Sequence, residues 1–315
     1  MEADIFILAA GFGLLYVGGE AVVSGAAAIG MRLGIAPVMV GLIIVAFGTS
    51  APELAVSLRA ALGGHGGLAI GNVVGSNICN IALILGLTAL IRPPTIQAQL
   101  IRFDVPVMIG SSAFLILLLI DGSLSRLDGA ALILALLVYL TLAVKKAREE
   151  QHAVRREMRD ALSRPSGYTR KRTLLLLIGL AVLVAGGDLF VRGAVGIAEA
   201  LEIPSSIIGL SIVALGTSLP ELATSIVAAI RGHGDIAAGN VIGSNIFNVL
   251  SILGITAAIT PLQAEAVSFT DLGLMFAIMM IALPLMFTQT RIQRWEGALL
   301  VAIYCGYMGW LFSRV

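Results

Sequence analysis

Runs of about 20 apolar residues recur from one end of this chain to the other, and few folds can accommodate them. Ten segments can be drawn, at 5–29, 37–62, 68–91, 103–120, 127–144, 173–198, 205–230, 236–259, 269–288 and 295–312. They lack the polar stripe that a helix on a soluble core turns to water. Inside a bilayer every backbone N–H and C=O needs a partner within the chain, so segments this long are expected to be helices. Composition agrees, with 12% charged residues against about 25% in a soluble domain. The expected fold class is an all-α membrane protein of ten transmembrane helices. The first segment has no basic stretch before it and no clear cleavage pattern after it, so it reads as a retained helix.

The second half of the chain repeats the first. Gly41–Thr88 aligns with Gly209–Thr256 at a constant offset of 168, with 31 identities in 48 positions. VAFGTSAPELAVS from Val45 answers VALGTSLPELATS from Val213, and GNVVGSNICN from Gly71 answers GNVIGSNIFN from Gly239. Between the halves lies a charged stretch, KKAREEQHAVRREMRDALSRPSGYTRKR, containing a Pro-Ser-Gly turn signal. The expected organisation is a first five-helix repeat over 1–144, a basic linker over 145–172 and a second five-helix repeat over 173–315. Five is odd, so the second copy must enter the membrane from the opposite side. Inverted repeats of this kind are characteristic of secondary transporters with a binding site near the midplane.

Ten of the twenty Lys and Arg residues lie between Lys145 and Arg172. Beside membrane spans such a cluster marks a cytoplasmic loop rather than a nucleic-acid arm, and no nucleic-acid partner is expected. Placing it in the cytoplasm puts Arg32, Arg92, Arg102, Arg231, Arg291 and Arg294 on the same side. Sixteen of twenty basic residues are then inside, with Arg59, Arg126, Arg192 and Arg314 as exceptions. The expected location is the cell membrane of a prokaryote, multi-pass, with both termini external. Cys79 and Cys305 stand alone in apolar segments and suggest neither a disulfide nor a metal site.

Two acids fall midway along apolar segments: Glu53 in the second and Glu221 in the seventh. A carboxylate near the bilayer centre costs several kcal/mol, roughly, and faces a cavity or a partner. No basic residue lies in either segment centre, so the pair points to a bound cation. Each acid follows a proline in Gly-Thr-Ser-x-Pro-Glu. Pro52 and Pro220 cannot donate backbone hydrogen bonds, and Gly48 and Gly216 weaken the helix further. The helix is expected to break there, leaving carbonyls around Ala46 and Ala214 without partners, beside the hydroxyls of Thr49, Ser50, Thr217 and Ser218. Asn72, Ser76 and Asn80 share one helix face, as do Asn240, Ser244 and Asn248. Gly71, Gly75, Gly239 and Gly243 are expected to admit a close neighbouring helix. Asn77 and Asn245 point partly away and read as interhelical hydrogen-bonders.

The donors are all hard oxygens. Calcium takes six to eight of these in adaptable geometry, whereas zinc or copper calls for His or Cys. His65 and His233, at matching positions after Gly, read as ordinary loop residues, with pH sensing as the alternative. Glu20 and Asp188 also match at the 168 offset. A structural role is expected for both, and Asp188 can pair with Arg192 one turn on.

These motifs resemble the α-repeats of the cation/calcium exchanger superfamily, especially its short prokaryotic sodium/calcium exchanger members, over essentially the whole chain. The resemblance implies a ligand set of Ala46 (carbonyl), Thr49, Ser50, Glu53, Ser76 and Asn80, with Ala214 (carbonyl), Thr217, Ser218, Glu221, Ser244 and Asn248 as counterparts. Glu53 and Glu221 would hold calcium and share sodium when calcium leaves. It implies no cofactor beyond the transported Ca2+ and Na+, action as a monomer in the lipid bilayer, and sliding of the first and sixth helices past the rest. Some relatives, notably the potassium-dependent exchangers, carry Asp where this chain has Asn248, so potassium co-transport is not expected. The linker has no room for the large regulatory domains of animal relatives.

The leading expectation is therefore a secondary active antiporter that exchanges calcium for sodium by alternating access. A calcium/proton antiporter is the alternative, because the two acids can carry protons instead. A cation channel would use the same central acids without a counter-ion. An intramembrane hydrolase fits poorly, since no H-E-x-x-H motif is present.

Overall fold

The apolar segments fold as helices, as backbone without water must. The computed structural model describes residues 2–33, 36–157, 167–202, 214–264, 267–287 and 291–313. Its helices are α1 (Glu2–Leu33), α2 (Val40–Thr49), α3 (Ala51–Leu62), α4 (Gly66–Ile91), α5 (Leu100–Asp121), α6 (Arg126–Glu157), α7 (Gly167–Ala200), α8 (Leu219–Ile230), α9 (Gly234–Ile259), α10 (Phe269–Phe287) and α11 (Arg294–Phe312). Among the described residues, eight helices are each long and apolar enough to cross a membrane, and α2 with α3 forms a ninth span bent by 43°. The protein is thus all-helical and multi-spanning. Of the expected segment 205–230, the stretch before Ala214 lies outside the described residues, as do 158–166 of the linker and Arg314.

Element bounds repeat at the 168 offset. Ala51–Leu62 answers Leu219–Ile230, and Gly86–Ile91 answers Gly254–Ile259. Within α4 and α9 the helix widens to π geometry at Cys79–Leu85 and at Asn248–Leu253. These two spans form the centre, with 72% and 83% of their apolar windows buried against 28% for α1 and α7. Gly239 and Gly243 press against the carbonyls of Val38 and Leu42, a contact that any side chain would obstruct. By the offset, the matching partners of Gly71 and Gly75 are residues 206 and 210, which fall outside the described residues.

The linker differs from expectation. It was expected as a loop, but α6 continues beyond its apolar span, Arg126–Lys146, to Glu157, and α7 is helical from Gly167. The reason is local: KKAREEQ is rich in strong helix formers.

α1 and α7 pack along each other in antiparallel fashion. Gly11 meets Gly186 and Phe190, Gly18 meets Gly179 and Leu183, and Gly25 meets Arg172 and Leu176. The facing glycines Gly179, Gly186 and Gly193 sit 168 residues after Gly11, Gly18 and Gly25, so the repeat reaches into these helices too. A Cβ on Gly18 would stand 2.8 Å from the backbone nitrogen of Leu183, which is why this seam takes glycine at every seventh position.

Two ends are distinguishable. At one, Arg92 donates to the Ile230 carbonyl at 2.9 Å, Arg231 pairs with Glu20 at 2.7 Å, and Arg291 bridges to Thr95. At the other, β1 (Ser123–Leu124) pairs antiparallel with β2 (Leu262–Gln263), beside Gly66.

Candidate functional site

The site is built where two helices break. Ser50 leaves helical geometry at φ −82°, ψ 7°, and Ser218 does the same at φ −87°, ψ 5°. Pro52 and Pro220 then lie in the first turn of α3 and α8, where a missing N–H costs nothing. Glu53 and Glu221 follow within that turn, so the positive end of a helix dipole lies behind each carboxylate. Both are fully buried.

The two repeats exchange hydroxyls across the site. Ser50 Oγ donates to Glu221 Oε1 at 3.0 Å, and Ser218 Oγ donates to Glu53 Oε1 at 3.2 Å. Ser244 Oγ reaches Glu221 Oε1 at 3.4 Å. Thr49 Oγ1 donates to Asn240 Oδ1 at 3.3 Å, and Thr217 stands beside Glu53. Each carboxylate is thus held through one oxygen only. Glu53 Oε2 and Glu221 Oε2 have no hydrogen-bond partner, and neither do Ser76 Oγ, Asn80 Oδ1 and Asn248 Oδ1. Buried oxygens without partners are costly, and a bound cation offsets that cost. The donor chemistry is that of a hard ion such as calcium or sodium.

The structure does not bring every expected donor to the acids directly. Ser76 and Asn80 make no hydrogen bond to either carboxylate, and Asn248 Nδ2 donates instead to Asn77 Oδ1 at 3.0 Å. Asn77 in turn reaches the Asn245 carbonyl at 3.4 Å, while Asn245 Nδ2 bonds its own helix at Val241, 2.7 Å away.

The expectation of an unpaired carbonyl at Ala46 is overturned. That oxygen accepts the Ser50 N–H at 3.0 Å, and the Thr49 hydroxyl, whose one hydrogen can turn to it or to Asn240, lies 3.4 Å away. Pro52 deprives Gly48 four residues back, not Ala46, whose own partner four residues on retains its N–H. In the second half the Ser218 N–H turns to Leu215, three residues back, so the two breaks are not identical.

Ser57 and Ser225 were not singled out from the sequence. Asn72 Nδ2 donates to Ser57 Oγ at 3.0 Å and to the Glu53 carbonyl at 3.4 Å. Asn240 repeats this with Ser225 at 3.1 Å and the Glu221 carbonyl at 3.5 Å. Asn72 and Asn240 therefore tie the acid-bearing helices to α4 and α9. The available signal was a Ser four residues after each Glu, one turn along the same face. His65 and His233 precede α4 and α9 in matching turns, and Asp188 pairs with Arg192 at 2.9 Å.

This arrangement, two broken helices that bring buried acids and unpartnered oxygens together within a multi-spanning protein, has the donor chemistry to hold a cation. The sequence model of the family described as "Sodium/calcium exchanger protein" matches residues 4–145 and 171–313, and the chain belongs to that family. It is 39% identical to the putative antiporter CaxA of Alkalimonas amylolytica, over 99% of each chain. It is 32% identical to the sodium/calcium exchanger MaX1 of Methanosarcina acetivorans, again over 99% of each. The solved structure of the sodium-calcium exchanger NCX_Mj soaked with 2.5 mM Na+ and 0.1 mM Ca2+ superposes with a TM-score of 0.84, at 34% identity over 98% of each chain.

Proposed function

We propose that this chain exchanges calcium for sodium across a prokaryotic cell membrane by alternating access, as ten helices in two inverted repeats. The observation that carries this reading is the reciprocal pair Ser50–Glu221 and Ser218–Glu53, which joins two buried acids and their unpartnered oxygens at the interface of the repeats. The antiparallel seam of α1 and α7, two helices at equivalent repeat positions, supports the inversion. Family membership and the likeness to NCX_Mj support calcium and sodium as cargo. The ligands in this reading are Glu53, Glu221, Thr49, Ser50, Thr217, Ser218, Ser76, Asn80, Ser244 and Asn248, with backbone oxygens of Ala46 and Ala214. The Ala46 carbonyl would use its remaining lone pair.

The test is calcium flux into proteoliposomes of purified protein. An outward sodium gradient drives uptake, while a proton gradient of equal size without sodium leaves it near background. Uptake that follows protons alone would make the protein a calcium/proton antiporter. Uptake with neither gradient would make it a channel.

In this reading the basic linker and the end carrying Arg92, Arg231 and Arg291 face the cytoplasm, with both termini outside. The basis is the positive-inside bias of sixteen in twenty. Single cysteines placed in residues 145–172 then resist an impermeant thiol reagent on intact cells and react after permeabilisation. Rapid labelling on intact cells would invert the topology.

A further inference from the structure

We propose that Glu20 and Arg231 form a latch that holds the arginine-rich end closed. This inference rests on the alternating-access reading above.

The ion pair joins α1 to the residue that follows α8. Arg231 Nε lies 2.7 Å from Glu20 Oε1, and Tyr16, one turn back on α1, interacts with the same guanidinium. Beside it α1 lies flat on α8: a methyl placed on Gly19 would stand 3.1 Å from Val227 and 3.3 Å from the Ala223 carbonyl. Thr224 and Val227 are buried under this contact.

The repeat supplies an internal control. At the 168 offset Tyr16 becomes Val184, Glu20 becomes Asp188, and Arg231 corresponds to Gly63. Thr224 corresponds to Val56 and Ala223 to Ala55. Val56 is 41% exposed where Thr224 is 0%. Ala55 and Arg59 are exposed as well. So α7 stands away from this face of α3, whereas α1 covers the matching face of α8. Asp188, with glycine where a basic partner would be, pairs with Arg192 on its own helix.

When access switches, the repeats exchange roles. α1 must leave α8, which breaks Glu20–Arg231. α7 must settle on α3, which carries Asp188 toward Gly63 and toward Arg59 one turn before it. Both partners of the Glu20–Arg231 pair are partly exposed, Arg231 56% and Glu20 25%, so the bias is modest, about two- to fivefold in the ratio of states.

The experiment reads conformation through cysteine reactivity in nanodiscs, where both faces are reachable. In a Cys79→Ala/Cys305→Ser background, Ala55→Cys reports the face of α3 and Ala223→Cys the face of α8. A water-soluble maleimide labels the first faster. Adding Glu20→Gln lowers the ratio of the two rates by about two- to fivefold, and strong salt lowers it similarly in the unlatched-competent parent. A ratio unmoved by Glu20→Gln in protein that still melts cooperatively overturns the latch. Labelling is independent of cargo: a parent protein that labels as described yet exchanges no calcium would sink the proposed function and leave the latch standing.

Discussion

Glu53→Gln and Glu221→Gln should each reduce calcium exchange to background while the protein stays folded. The substitution keeps shape and an acceptor oxygen, so Ser218 can still donate at residue 53 and Ser50 at residue 221. What disappears is one negative charge beside a divalent ion. At an effective dielectric near 20, a unit charge about 4 Å from another is worth about 4 kcal/mol, and a divalent ion doubles it. Desolvation cancels much of this, yet a net loss of about 3 kcal/mol already weakens affinity more than a hundredfold. A second readout separates binding from folding. The two acids repel each other in a shared buried site, so either variant should melt no lower than the parent without calcium. The parent gains melting temperature as calcium is added, by mass action, and the variants do not. Near-parental exchange, or a retained calcium-dependent shift, would remove that glutamate from the ligand set.

The break that presents these acids was legible because it needs only covalent chemistry: a proline without an N–H and a glycine two residues before the hinge, repeated after 168 residues. The positions of the nine spans found among the described residues were legible for the same reason, since a run of apolar residues reports its length directly. What the sequence hid depends on approach in space. Ser50 reaches Glu221 rather than Glu53, which lies closer in the chain, because the two repeats cross at the site. The fate of the Ala46 carbonyl turned on which residue loses its donor, and the count of four residues back from Pro52 leads to Gly48. The π segments at Cys79–Leu85 and Asn248–Leu253 shift the faces on which Asn80 and Asn248 lie, and no residue in them announces the extra turn width. The seam of Gly11, Gly18 and Gly25 against Gly179, Gly186 and Gly193 was visible as spacing, but its meaning required knowing that α1 and α7 are antiparallel.

Sodium should displace calcium from overlapping ligands, with a Hill slope above one. Within the buried site there are two carboxylates, and both ions must use them. A single calcium neutralises the pair. Sodium needs two ions to do the same, with any further ion held by hydroxyl, amide and backbone oxygens. In the proposed exchange an empty carrier would have to move two uncompensated buried charges between its access states, a cost that would confine crossing to loaded forms and keep the exchange coupled. The quantitative consequence follows from mass action: above its own binding range, each tenfold rise in sodium should weaken apparent calcium affinity by about a hundredfold, the square of the change, rather than tenfold. The measurement is calcium binding to purified protein across a sodium titration at fixed pH, with choline holding ionic strength constant so that screening does not imitate competition. In Glu53→Gln or Glu221→Gln one acid remains, and the slope for any residual calcium binding should fall toward one. Calcium affinity that ignores sodium but changes with pH would transfer the counter-ion role to protons and leave the calcium site itself intact.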